Sequence, residues 1–140
     1  MRSLRFIASC LGLVAVVCAA LLAPVRAQAP GVVATPVLVS PVSGDAQREA
    51  VVQIVNVAPG AATPVHTHPG DCFGFVIEGT VELRIAGKEP RRVSAGEAYG
   101  NLRGTVHQFV SVSDTPARLA NTLLVDKGRP RTEIQPDFKQ

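Results

Sequence analysis

From residue 28 onward the chain is a succession of short apolar runs cut by Gly and Pro, and no stretch repeats its apolar positions at helical spacing. The clearest run is residues 81–86. There Val81, Leu83 and Ile85 alternate with Glu82 and Arg84, the period-two pattern of a strand with one buried face. Runs rich in Val, Ile, Leu and Thr predict further strands at residues 32–39, 50–57, 63–68, 72–78, 92–94, 106–112 and 118–125. Pro69-Gly70-Asp71, Gly79-Thr80, Gly87-Lys88 and residues 113–116 turn the chain between them. Short strands with turns roughly every eight to twelve residues predict an all-β sandwich or barrel. In so short a chain a closed double-sheet barrel is the natural way to remove open edges. Residues 127–140 are polar, carry Pro130 and Pro136, and predict an extended tail.

The first 27 residues have another character. Arg2 and Arg5 precede a largely apolar run over residues 6–23, and Val25-Arg26-Ala27 forms a small-residue exit. This is the order of a secretory leader cleaved after Ala27, which divides the chain into a leader (1–27), a barrel domain (28–126) and the tail (127–140). A single membrane anchor is the competing reading, since the run is just long enough to span. The exit and the lack of a stop-transfer pattern favour the leader, and with it a periplasmic or secreted protein with no stable membrane span after cleavage.

The formal charge of +3 changes meaning once it is placed along the chain. Arg2, Arg5 and Arg26 are three of the 14 basic residues, so the remainder sets 11 basic against 11 acidic residues. A balanced domain with 4% aromatic residues and no Trp offers neither a basic face for phosphates nor a stacking platform, so no nucleic-acid partner is expected. Of the three cysteines, Cys10 and Cys18 leave with the leader, so Cys72 stands alone and no internal disulfide is expected.

All three histidines fall in the barrel domain. In His66-Thr67-His68 the strand period puts both imidazoles on one face, where they can grip one ion, and His107 near the start of a later strand can supply a third ligand. Imidazole suits Zn, Cu, Fe, Ni and, with oxygen ligands, Mn. Three protein ligands with open positions describe a catalytic site better than a closed structural one.

The spacing around these histidines resembles the cupins. Gly60, five residues, His66-Thr67-His68, three residues, Cys72, six residues and Gly79 follow the first cupin motif. Gly96, five residues, Leu102, one residue, Gly104, two residues and His107 follow the second. The resemblance implies a jelly-roll β-barrel, a divalent transition metal held by three histidines and usually a Glu, and a homodimer in which strand 32–39 adds to the partner's sheet. The chain departs from the pattern at Leu102, where the family has Pro, at Ser111, where it has Asn, and at Cys72, where it has Glu.

Cys72 therefore joins His66, His68 and His107 as the fourth candidate ligand. By strand parity Cys72, Gly74 and Val76 face the cavity and Phe73, Phe75 and Ile77 the other side. As a thiolate, Cys72 biases the site toward Zn, Cu or Fe; as a thiol it is a small buried hydrophobe beside a three-histidine face. Animal cysteine dioxygenase, a thiol dioxygenase of the cupin superfamily, also has Cys here, joined to a Tyr well beyond the last motif histidine. This chain has no Tyr after His107, so that cross-link is not expected. Tyr99 and Phe109 are candidates for the cavity mouth or its core, and Asp71 for a shifted carboxylate or a turn residue. Three functions remain in view for a small-molecule ligand or substrate. They are an oxidoreductase of dioxygenase type, a metal- or ligand-binding sensor without turnover, and a metal-assisted isomerase or lyase. Placing no acid or base in the cavity beyond the ligands counts against the last.

Overall fold

The computed structural model describes residues 29–136. The expected leader at residues 1–27 lies outside the described residues. The first sheet runs in the order β1-β2-β9-β4-β7, made of β1 (Val32–Val42), β2 (Asp45–Val57), β9 (Ala117–Asp126), β4 (Gly70–Glu78) and β7 (Ala98–Asn101). The second runs β10-β3-β8-β5-β6, made of β10 (Glu133–Ile134), β3 (His66–Thr67), β8 (His107–Ser111), β5 (Thr80–Ile85) and β6 (Arg91–Ser94). Every pairing is antiparallel. The two sheets enclose one interior as a jelly-roll double-sheet barrel, the expected class.

Alternation builds that interior. Along β9, Ala117, Leu119, Asn121, Leu123 and Val125 are buried while their neighbours are half-buried or exposed. Leu119, Val76, Val81, Val93 and Phe109 form the larger core with residues of β1 and β2, and Val51, Cys72, Leu123 and Val125 a smaller one. Gly79 ends β4 at φ 76°, where a Cβ would lie 2.9 Å from the Ala117 Cα; position and conformation both demand glycine.

The chain departs from its expected elements where tertiary contacts decide. β7 carries Ala98, Gly100 and Asn101, residues with little preference for strands, and it forms because Tyr99 packs over Gly74 on β4. The expected strand at 63–68 contracts to two residues, and its earlier part is held by the Thr63 N–H donating to the Phe109 carbonyl at 2.9 Å. The polar tail supplies β10, which pairs with β3 at Thr67 and His66. β1, marked by the resemblance for a partner's sheet, pairs along its length with β2 of its own chain. Its prolines, Pro36 and Pro41, sit on an edge strand, where a missing N–H is tolerated.

Gly74 gives the sharpest test of this packing. A Cβ there runs into the Tyr99 ring, which is buried and donates its hydroxyl hydrogen to Asn121 Oδ1. Gly74→Ala should lower the unfolding free energy by about 1–3 kcal/mol, the usual cost of overpacking, measured by urea denaturation. Unchanged stability would show that β7 is not held by this contact.

Candidate metal centre

The second sheet carries the site. β3 and β8 set His66 directly opposite His107, and His68 follows just beyond β3. All three imidazoles are buried, and their ligand atoms lie within 4.8 Å of one another. Ring centroids are 4.2 Å apart for His66 and His107 and 4.9 Å for His66 and His68.

Each ring is fixed by its other nitrogen. His66 Nδ1 lies 2.7 Å from the Pro64 carbonyl, His68 Nδ1 2.7 Å from the Arg131 carbonyl and His107 Nδ1 2.9 Å from the Thr105 carbonyl. A carbonyl only accepts, so each Nδ1 carries the proton and each Nε2 keeps a free lone pair. His107 Nε2 is fully buried with no hydrogen-bond partner. Such an orphaned lone pair, converging with two others, fits a transition metal.

The electrostatics agree. Burial pulls the His66 pKa down to about 4 and the His107 pKa to about 3, helped by the neighbouring imidazoles, and lowers that of His68 as well. The ligands are therefore neutral near pH 7 and have no proton to displace.

The structure brings together three of the four expected ligands. Cys72 is fully buried across the barrel on β4, packed with Val51, Leu123 and Val125, and its thiol stands outside the histidine cluster. Burial pushes its pKa up to about 12, so it is a neutral thiol unless an ion takes its proton. The inward set Cys72, Gly74 and Val76 and the outward set Phe73, Phe75 and Ile77 follow the expected parity. Asp71 Oδ1 accepts the Arg103 N–H at 2.9 Å, a turn contact away from the imidazoles. Tyr99 packs against Phe109 with ring centroids 4.8 Å apart, and burial keeps its phenol protonated.

Beside His66 and His68 opens a cavity of about 240 Å³. β1, β2 and β9 line it with Val32, Val55, Val57 and Leu119, and Phe109 adds a face. Its polar side chains include Gln53, Thr63 and Asn121. Gln53 and Asn121 carried no sequence signal, because only the β2–β9 pairing sets them opposite each other on the inner face.

The family model for the cupin domain, Cupin_2, matches residues 53–126, more than half the chain. The chain belongs to the cupin family. A stretch of 74 residues is 38% identical to the cupin-domain-containing oxidoreductase srdB of Neurospora crassa, covering 52% of this chain and 37% of that protein. The chain thus spans well under half the length of that relative. Among solved structures, an uncharacterized protein of Klebsiella pneumoniae with a double-stranded β-helix domain superposes with a TM-score of 0.64 at 18% identity, over 77% of this cupin and 87% of that chain. Oxalate oxidase in complex with the substrate analogue glycolate superposes at 0.59 and 24% identity, over 74% and 55% of the two chains. These structural likenesses establish the cupin fold.

The lowered histidine values predict how the metal-free cupin responds to pH. Between the ordinary value of 6.5 and the folded values of about 4 and 3, the unfolded chain binds more protons than the folded one. Stability therefore rises with pH across that window, is complete above it, and is lost as pH falls through it. Melts of the metal-stripped protein should show Tm falling steadily from pH 7 to pH 4, with a flatter profile for His107→Gln. A wild-type profile as flat as the variant's contradicts the buried neutral imidazoles.

Proposed function

We propose that this protein is an exported, metal-dependent cupin of the oxidoreductase class acting on a small organic molecule. The observation that carries the reading is the trio of Nε2 atoms, each freed by an Nδ1–carbonyl bond, facing one another beside an apolar cavity. The oxidoreductase that shares 38% identity over 74 residues supports the reaction class. His66, His68 and His107 hold one divalent ion, drawn from Fe, Cu, Zn, Mn or Ni by imidazole chemistry. A bound iron or copper supplies electron transfer with dioxygen, and any of these ions supplies Lewis-acid polarisation. The chain's own groups bind the organic molecule in an uncharged cavity and shield it from water. Tyr99 commits its hydroxyl to Asn121 and stays protonated, so it is no base. The isomerase or lyase reading therefore lacks a proton-transfer group beyond the ligands, and the sensor reading differs only in having no turnover.

The test is the metal content of the purified protein. One ion per chain is expected for wild type and less than a tenth of that for His107→Ala, with oxygen uptake by the iron- or copper-loaded form on a phenolic, thiol or diketone substrate. No metal above background after reloading overturns the reading. Cys72 stands at the motif's fourth position as a neutral thiol outside the imidazole cluster, so Cys72→Ser should leave the metal content and the visible spectrum unchanged. A thiolate charge-transfer band lost in that variant would make Cys72 the fourth ligand. N-terminal sequencing of the cell-derived protein checks export, with Gln28 expected first.

We also propose a homodimer through the outer face of the first sheet. Leu38, Val52, Thr122, Phe73 and Gly100 form one row across all five strands, and Thr35, Ile54, Ala120, Phe75 and Ala98 the next. Phe73 is 47% and Phe75 45% exposed. With strands about 4.8 Å apart and same-face rows about 7 Å apart, the two rows cover about 24 by 14 Å, within the range of apolar surface patches that are often functional. A second copy fits it because two flat, uncharged faces stack about a two-fold axis as the sheets of a sandwich do. Light scattering should give a dimer for wild type and a monomer of unchanged metal content for Phe73→Lys. A wild-type monomer would overturn the proposal.

A further inference from the structure

Resting on the metal reading above, the cavity lining also indicates what kind of molecule it takes. Val32, Val55, Leu119 and Phe109 make its apolar wall, and Gln53 and Asn121 stand among its uncharged polar groups. No Lys, Arg, Asp or Glu is among the lining residues described. Arg131 neighbours the lining residue Thr132 in sequence, yet its guanidinium is taken by Glu49 at 3.2 Å. Asn121 accepts from Tyr99 through Oδ1, which leaves its amide N–H groups to serve as uncharged donors.

Charge arithmetic at the two ends of the cavity then restricts the ligand. Three neutral imidazoles compensate none of the charge of a divalent ion, so the metal end favours a ligand whose head brings negative charge to the ion. The opposite wall has no cation, so a second negative charge placed there is desolvated without a partner. The volume of about 240 Å³ exceeds the roughly 150 Å³ that holds benzene in an apolar protein cavity.

We infer that the cavity binds a small, mostly apolar molecule, the size of a substituted aromatic ring, with a single acidic oxygen head such as a phenol or enol and no second charged group. The head gives its one O–H proton to solvent on binding, and its body lies against Val55, Leu119 and Phe109. A second anionic group carried at the far end of such a molecule is disfavoured, because no cation is among the lining residues described.

The experiment uses zinc-loaded protein, which keeps redox turnover out of the measurement, and isothermal titration with 4-ethylphenol and 4-hydroxybenzenesulfonate, whose sulfonate is a poor zinc ligand and so leaves the phenol as the head. The two phenols share a head and differ in the charge at the far end. Wild type should bind 4-ethylphenol at least ten-fold more tightly than 4-hydroxybenzenesulfonate. Gln53→Lys, which adds a cation to the lining, should narrow or reverse the preference between the phenols, and Gln53→Leu should preserve it. Equal or tighter binding of the sulfonate by wild type overturns the inference, as does a failure to bind 4-ethylphenol when one zinc per chain is present. Failure to take up zinc instead overturns the metal reading and the head-group half of the inference. The order of the two phenols on the metal-free protein then decides the apolar half.

Discussion

The hydrogen bond from His68 Nδ1 to the Arg131 carbonyl joins residues 63 positions apart, and the geometry of the site depends on contacts of this kind. An imidazole alone in a barrel can present either nitrogen. Tied to a main-chain oxygen, it can present only Nε2, in one orientation. The three carbonyls belong to different stretches of chain: the bend before β3, the turn before β8 and the tail leading to β10. The tail is secured in turn. Arg131 pairs with Glu49 on β2, and β10 pairs with β3. Asp126 at the end of β9 takes both terminal nitrogens of Arg103 at 2.8 Å, and Arg103 lies in the turn whose next residue, Gly104, donates to the His68 carbonyl. Disturbing the tail therefore disturbs a ligand.

The two sheets divide the work. The second carries the histidines on short strands, where Pro64 and the turns supply carbonyls not used by ladders. The first has longer strands, and its outer face carries apolar side chains at mid-sheet, among them Val52, Ile54, Phe73 and Phe75. One face is consumed by the interior. A strand buried on one side only has no reason to place Phe73 and Phe75 on the other, and that surplus is the physical argument for a covering partner.

The barrel was legible because alternation and turn residues are local signals: Val81, Leu83 and Ile85 announce their strand, and Gly79 its turn. The ligand trio was legible because His66 and His68 share a face by parity and His107 falls at motif distance. The remainder was set by pairings that sequence does not display. β7 packs where Gly74 leaves room for Tyr99, and one tyrosine among Ala98, Gly100 and Asn101 is too weak a local signal to mark a strand. β10 lay hidden in a polar tail whose contribution to His68 is a main-chain oxygen, a group every residue possesses. Gln53 and Asn121 became cavity residues only through the β2–β9 register. Cys72 was correctly turned inward by parity, yet parity says nothing of reach. A cysteine side chain ends two heavy atoms short of a glutamate's carboxylate, and here its thiol packs among valines and a leucine, outside the imidazole cluster.

That difference in reach has an electrostatic consequence. A glutamate among the ligands lowers the net charge of a divalent site by one and offers a carboxylate able to move protons. A neutral thiol does neither, so the full charge is left for the incoming molecule to balance. The cavity beside it, in turn, provides apolar contact and uncharged hydrogen bonds but no second ion. Proton-transfer chemistry needs a group that changes charge in the cavity, whereas binding an oxygen donor and exchanging electrons through the ion does not. A cysteine on β4, where the cupin pattern has glutamate, is therefore consistent with the proposed redox or binding role and the proposed largely apolar ligand, and leaves proton-transfer chemistry without its group.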